Sequence, residues 1–106
     1  MTGSSAGFFL LRLNPPRASF PMHMTVEETA AMQEHFAYWS RLSDQGIAIA
    51  YGPVNDPKGT WGVAIVRVRD GAEARGITAD DPAIRANLGF AYDIFAMPQV
   101  LVSGAR

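Results

Sequence analysis

Apolar residues cluster in four short stretches bounded by turn-forming residues, which is typical of β-strands. The first stretch is followed by Asn14–Met24, whose prolines exclude a helix and predict an irregular loop. Gly52-Pro53 is expected to end the second strand. Asn55–Gly59 is predicted to form a turn that joins the second and third strands in a hairpin. The predicted strands are Phe8–Leu13, Ile47–Tyr51, Trp61–Arg69 and Phe90–Met97, with Val100–Val102 as a short additional strand.

A longer segment, Thr25–Asp44, carries its apolar residues at helical spacing. Thr25 and Glu28 form the T-x-x-E pattern of a capping box, and Gly46 supplies the C-terminal stop. At about 100° per residue, the apolar side chains fall on one half of this helix, which therefore packs against a core. That half holds Ala31, Met32, Phe36, Tyr38, Trp39 and Leu42.

Two shorter helical segments are predicted after the third strand. Asp70-Gly71 forms a turn or N-cap before a short helix at Ala72–Ile77, which Gly76 weakens. Asp81-Pro82 has the pattern of an N-cap followed by proline at the first helical position, and predicts a further turn or two up to Leu88.

The order of elements is β-α-β-β-α-β, which predicts an α+β fold of the ferredoxin-like type with a four-stranded antiparallel sheet. Right-handed crossovers place the first and third strands in the centre of the sheet and the helices on one face. Residues 8–106 are expected to form a single domain, and Met1–Gly7 a disordered N-terminal tail.

The strands are largely apolar on both faces, as in the pairs Phe8 and Leu10 against Phe9 and Leu11. A four-stranded antiparallel sheet with one face in water should carry polar residues on that face. The pattern therefore predicts that a second copy of the chain covers the sheet face away from the helices, giving a homodimer.

Composition narrows the classes of function. The 106 residues carry a formal net charge of −1 and include no cysteine, which excludes thiol catalysis, disulfides and zinc–thiolate sites and fits a cytoplasmic protein. The small net charge gives little attraction to nucleic acid. The longest apolar runs are far below the roughly 20 residues of a membrane helix. Dinucleotide-binding and P-loop motifs are absent from the sequence, and we expect no cofactor.

His35 is the residue most suggestive of chemistry, because it lies within the apolar half of the long helix. An imidazole there needs a polar partner, and it is either a general acid or base or a core histidine bonded to a backbone carbonyl. Asp81 is explained as an N-cap, or it orients and charges His35. On the helix wheel alone, the core histidine is the better interpretation, and an N-cap is sufficient for Asp81.

Other candidates have simple structural explanations. Gly52 and Pro53 either only end a strand or let the backbone approach a ligand closely. Trp39 and Tyr51 are core or interface residues, or line a ligand pocket. No metal site is expected, because His23 and His35 lack a metal-ligand spacing. Arg12 and Asp93 are expected to form an ion pair between the first and last strands.

Residues 34–100 resemble the YciI-related family. The match combines His35 and Gly46 in and after the first helix, Gly52-Pro53 after the second strand, Asp81-Pro82, and a last strand ending near Met97-Pro98. The chain departs from the family in its longer, proline-rich loop at residues 14–24. It also has alanine at position 83, where the family often has an aromatic residue.

The resemblance implies a dimeric α/β-barrel type of ferredoxin-like fold and pairs His35 with Asp81 in an active site. One relative in the family is a dehydrochlorinating lyase. The expected function is a small cofactor-free lyase or isomerase that acts on a small organic molecule. Two alternatives stay open: a ligand-binding or regulatory module without catalysis, and a cofactorless monooxygenase with an aromatic pocket for a phenolic substrate.

Overall fold

A computed structural model describes residues 7–104 of the chain. The strands are β1 (Gly7–Asn14), β2 (Ala48–Val54), β3 (Trp61–Val68) and β4 (Ala91–Met97), and the helices are α1 (Val26–Asp44), α2 (Gly71–Asp80) and α3 (Pro82–Arg85). The four strands form one antiparallel sheet in the order β2-β3-β1-β4. The predicted α+β fold of the ferredoxin-like type is therefore confirmed, with β1 and β3 in its centre.

Helix α1 begins and ends where its sequence predicts. Thr25 and Glu28 form the complete capping box. At the other end, Gly46 has a φ of 77°. The amide of Ile47 then donates to the carbonyl of Leu42 at 2.9 Å. This left-handed residue and its hydrogen bond close the last turn of the helix.

The helices cover one face of the sheet, and the main core lies between the two layers. Alternate residues of the central strands, such as Leu11 and Val66, are fully buried against Trp39 of α1. The residues between them, such as Leu10 and Ile65, belong to the opposite face because side chains alternate along a strand. A row across that face joins Ala50, Ile65, Leu10 and Phe95 in register.

Several predicted boundaries were wrong. Gly52-Pro53 does not end the second strand, because β2 continues to Val54 and Pro53 pairs with Gly62. A proline is tolerated there because β2 is an edge strand. Val100–Val102 is irregular rather than a strand. Helix α2 is longer than the predicted Ala72–Ile77 and extends to Asp80, whereas α3 ends at Arg85, before Leu88.

Two further predictions need adjustment. Arg12 and Asp93 lie opposite each other in the β1–β4 pairing, but Asn14 lies between their side chains. Asn14 accepts a hydrogen bond from Arg12 and donates one to Asp93, which replaces the predicted direct ion pair. Of the predicted tail Met1–Gly7, Gly7 belongs to β1, and the rest lies outside the described residues.

Candidate functional site

Helix α1 presents His35 to the interior. Four residues of α1 are buried, and they form a stripe along the helix: Glu28, Ala31, Trp39 and Leu42. His35 falls within this stripe at helical spacing, and its side chain is only 13% exposed. The side chain of His35 therefore points toward the sheet, as its position on the helix wheel predicts.

Asp81 lies at the junction of two helices. It is the C-cap of α2 and the N-cap of α3, where its Oδ1 accepts a hydrogen bond from the amide of Ala83 at 2.8 Å. Pro82 at the first helical position fits this cap. The side chain is completely buried. The predicted N-cap role is thus confirmed, but it uses only part of the hydrogen-bonding capacity of the carboxylate.

His35 and Asp81 are in direct contact. Nδ1 of His35 lies 2.9 Å from Oδ1 and 2.8 Å from Oδ2 of Asp81. Oδ2 also accepts a hydrogen bond from Nε1 of Trp39 at 2.9 Å and another from the hydroxyl of Tyr92. With the amide of Ala83, the carboxylate meets four donors, which satisfy its two oxygens inside the core.

The hydrogen bonds keep this carboxyl group ionised. Burial by itself raises the pKa of Asp81, but the hydrogen bond from His35, the attraction of its ring whenever that ring is protonated, and the hydrogen bonds from Tyr92 and Trp39 lower the pKa below the ordinary value. For Tyr92, burial and the neighbouring Asp81 charge both raise the pKa, so its hydroxyl stays protonated and donates. Because an ionised carboxylate only accepts, Nδ1 of His35 carries the proton.

A cavity of about 290 Å³ adjoins His35. Trp39, Tyr51, Gly52 and Pro53 also line it, so the structure brings all the candidate ligand-contacting residues to one cavity. Asp81 is not part of the wall and lies behind the imidazole ring. Since Nδ1 is engaged with Asp81, Nε2 is the nitrogen left to meet a ligand. No residue of the described range 7–104 forms a hydrogen bond with Nε2.

The proline-rich loop between β1 and α1 forms one wall of the cavity. Its contributions are Pro15, Phe20, Pro21 and Met24. Arg17 ties the loop to α1, because its Nη1 and Nη2 each lie 2.8 Å from a carboxylate oxygen of Glu28. The hydrogen bond from Arg17 is the main cause that lowers the pKa of Glu28 to about 2. The loop that departs from the family pattern therefore shapes the cavity.

Sequence reasoning missed three features of the site: Tyr92 as a donor to Asp81, the Arg17–Glu28 pair, and the loop as a cavity wall. Tyr92 carried a usable signal, since a tyrosine on an inward strand position needs a partner for its hydroxyl. No pattern in the sequence paired Arg17 with Glu28, because Glu28 was already explained by the capping box.

The described part of the chain contains neither a metal-ligand cluster nor a membrane-spanning helix. In the described part of the chain, no three His, Cys, Asp or Glu side chains are grouped so as to hold a metal ion. His23 is exposed and does not line the cavity. Within the same residues, 7–104, no helix is long and apolar enough to cross a membrane.

Comparison with known proteins gives a family and a set of similar solved structures. No curated protein matches the chain. The NE2512 protein of unknown function from Nitrosomonas europaea is 15% identical, with a TM-score of 0.49 over 97% of this chain and 100% of that one. PA3566 from Pseudomonas aeruginosa is also 15% identical, with a TM-score of 0.49 over 92% and 100%. The model of the YCII-related domain matches residues 10–98, and the chain therefore belongs to the YCII-related family.

Proposed function

We propose that the protein is an enzyme in which His35 acts as a general acid and base on a small organic molecule held in the cavity. The observation that carries the proposal is the contact of Nδ1 with the buried Asp81 carboxylate, at 2.8 Å from Oδ2. This contact fixes the tautomer and the ring orientation and leaves the lone pair of Nε2 for the substrate.

In the proposed step, Nε2 removes a proton from a carbon next to a carbonyl or another electron-withdrawing group. The imidazolium ion that forms is stabilised by the Asp81 carboxylate, whose charge is already held in place by Trp39 and Tyr92. The electron pair left on the substrate then either expels a leaving group, which is a lyase reaction, or recovers the proton at another carbon, which is an isomerisation. His35 returns to its neutral form when Nε2 gives up the proton.

Proton abstraction is testable without knowing the natural substrate. We suggest screening small carbonyl compounds for binding and incubating those that bind in deuterated water, with NMR detection of exchange at carbon. The wild-type protein should catalyse exchange of at least one bound compound. His35→Gln should lower the exchange rate by at least about 100-fold, because it removes the base. Asp81→Asn should also lower the exchange rate, because the ring of His35 would no longer be held in the tautomer that leaves Nε2 unprotonated.

His23→Asn is the matched control. His23 is the second histidine of the chain, is exposed, and has a φ of 59°, a conformation that asparagine tolerates. Its exchange rate should equal that of the wild-type protein. Compounds that bind in the cavity without any exchange would contradict the enzyme proposal and favour the alternative of a binding or regulatory module. Oxygen consumption with a bound phenol would favour the monooxygenase alternative.

We also propose that the protein is a homodimer formed through the outer face of the sheet, defined here as the face away from the helices. The support is the apolar row across this face, in which Phe95 is 53% exposed. Burying such a row against a second copy removes apolar surface from water. A cytoplasmic location stays a prediction from the cysteine-free sequence.

A further inference from the structure

The walls of the cavity next to His35 are almost entirely apolar and aromatic. They include Phe20, Met32, Trp39 and Phe90, which come from the loop, from α1 and from the segment before β4. Polar atoms of the lining are largely engaged elsewhere, because the indole of Trp39 and the hydroxyl of Tyr92 both donate to Asp81. The cavity thus offers a ligand mainly dispersion and stacking contacts.

Charge selects further among ligands. No Lys, Arg, Asp or Glu side chain is among the described residues that line the cavity. A cationic ligand therefore finds no carboxylate, since the oxygens of Asp81 lie behind the ring of His35 and already meet four donors. An anionic ligand meets a single imidazole, which leaves most of its charge unpaired against apolar walls. Burying such a charge is costly.

The remaining polar side chains of the wall are few. Tyr51 is 41% exposed and so marks the mouth, and Thr60 is half-buried. His35 is the most enclosed of the three. Neutral imidazole with its proton on Nδ1 offers an acceptor at Nε2, so the complementary group on a ligand is a hydrogen-bond donor.

The size of the cavity sets the size of the ligand. Its volume is about 290 Å³. A dry, apolar cavity of about 150 Å³ in another protein holds one benzene molecule. The cavity next to His35 is therefore large enough for about two fused six-membered rings.

We propose that this site prefers an uncharged, mainly apolar ring compound, up to about two fused rings in size, and that a ligand of this class with one hydroxyl or other hydrogen-bond donor places it against Nε2 of His35. The inference rests on the proposed function only in that the acidic C–H of a substrate would take the place of this donor in the chemical step; it is a statement about binding and is tested by binding alone.

Three probes of the same ring system separate the contributions: 2-naphthol, naphthalene and naphthalene-2-carboxylate. Isothermal titration calorimetry at neutral pH gives the affinities. 2-Naphthol should bind at least about fivefold tighter than naphthalene, the gain expected of one hydrogen bond. Naphthalene-2-carboxylate should bind more weakly than 2-naphthol. Trp39 lines the cavity beside His35, with 6.5 Å between the ring centroids. The indole N–H signal of Trp39 in a ¹⁵N NMR spectrum should therefore shift when 2-naphthol binds.

Variants assign the preference to His35. His35→Ala should reduce the affinity for 2-naphthol to the level of naphthalene, while His23→Asn should leave both affinities unchanged. If His35→Ala fails to fold, the comparison of the three probes on the wild-type protein still decides the matter, because it needs no substitution.

Several results would overturn the inference. One is equal or tighter binding of the carboxylate, and another is equal binding of naphthalene and 2-naphthol. Absence of binding by all three probes, or binding that leaves the indole signal of Trp39 unmoved, would also overturn it. Failure of the proposed function would look different: 2-naphthol would keep its advantage, but bound carbonyl compounds would show no deuterium exchange. If bound carbonyl compounds show deuterium exchange but naphthalene-2-carboxylate binds more tightly than 2-naphthol, the enzyme proposal stands and the proposal of an uncharged ligand is wrong.

Discussion

At the scale of single residues, Asp81 has both a local role as a helix cap and a role in the site around His35. It caps α3 through Oδ1 and at the same time meets His35, Trp39 and Tyr92, which come from α1 and β4. A residue that is satisfied by one local role is therefore also the centre of a long-range network. Each donor lowers the cost of keeping a carboxylate in the core.

Substitution of Tyr92 tests the value of one donor. Tyr92→Phe removes the hydroxyl that donates to Asp81 and keeps the ring. We expect a loss of about 1–2 kcal/mol in the free energy of unfolding, because the hydrogen bond is made to a charged group. Urea unfolding measures the loss. Tyr51→Phe is the control, since Tyr51 is exposed at the cavity mouth, and it should change stability by less than about 0.5 kcal/mol.

Asp81→Asn tests the ionised state of the carboxyl group. At pH 7 the variant should lose about 3 kcal/mol, because His35 and the other donors no longer face a charge. The folded protein holds the pKa of Asp81 below its unfolded value of about 4. The stabilisation is therefore complete above pH 4 and is lost as the pH falls through the folded-state pKa.

The measurement is urea unfolding of both proteins from pH 7 to pH 3. The stability difference between wild type and Asp81→Asn should shrink toward the acid end. A difference that stays constant with pH would show that Asp81 does not carry its charge in the folded protein.

At the scale of elements, the loop between β1 and α1 is the part whose position is least determined by local sequence. Arg17 holds it by pairing with Glu28 and by donating to the carbonyl of His23 at 3.0 Å. The loop also packs on the turn after β2, where a Cβ on Gly59 would come within 2.8 Å of the Ala18 carbonyl oxygen. These contacts hold Phe20 and Met24 in the cavity wall.

Removal of the pair should loosen the loop without unfolding the helix. In Glu28→Gln the capping box survives, because glutamine serves equally at that position. We expect faster hydrogen exchange at the backbone amides of residues 18–24, measured by mass spectrometry or NMR. Asp80→Asn is the control, since it breaks the exposed contact with Arg85 at 3.7 Å. Equal exchange in the two variants would argue against a role of Arg17 in holding the loop.

The same pair predicts a second pH dependence. Pairing with Arg17 lowers the pKa of Glu28 to about 2, below the ordinary value for glutamate of about 4. Its stabilising effect is present above pH 4 and is lost between pH 4 and pH 2. The exchange rates of the loop amides, corrected for intrinsic rates, should therefore rise over this range in the wild type and stay more nearly constant in Glu28→Gln.

Two glycines allow a comparison between a glycine inside a helix and a glycine that ends one. A Cβ at Gly76 or at Gly46 would meet nothing within 4 Å, so the two sites differ in backbone conformation and not in space. Gly76 lies within α2, and Gly46 has a φ of 77°. Gly76→Ala should stabilise the protein by about 0.5–1 kcal/mol. Gly46→Ala should destabilise it by about 1 kcal/mol. Thermal or urea unfolding of both variants measures the change in the free energy of unfolding. Changes of the same sign in the two variants would contradict the assigned conformations.

At the scale of the whole molecule, the two faces of the sheet are used differently. One face, with Leu11 and Val66, packs against the helices and the buried Trp39. The outer face carries Leu10, Ile65 and Phe95 in register, with Phe95 largely exposed. Apolar residues on both faces are explained if two copies of the sheet pack face to face.

The dimer is testable by light scattering coupled to size exclusion at micromolar concentration. The wild-type protein should elute as a dimer, and Phe95→Glu should shift it to the monomer, because the charge would be buried in the interface. Phe36→Glu is the matched control: Phe36 is 57% exposed but lies on α1, and this variant should stay dimeric. A monomeric wild type would contradict the proposal.

The sequence by itself determined the order of elements and the long helix. Capping residues such as Thr25 and Gly46 act within one turn of chain, and apolar periodicity needs no distant partner. It also placed His35 on the buried side of the helix. It did not find the full length of β2, because Pro53 is tolerated only on an edge strand, and being an edge is a property of the sheet.

The residue pattern left the partner of His35 open, and the family resemblance paired it with Asp81; only the tertiary structure decided the rest of its surroundings. The contact with Asp81 spans 46 positions along the chain. Tyr92 of β4 donates a hydrogen bond to Asp81 between the two short helices, and Arg17 in the loop after β1 pairs with Glu28 of α1. Helix caps and strand patterns are fixed by neighbours along the chain. The partners of a buried charge are fixed instead by the packing of separate elements, and one sequence carries little record of that packing.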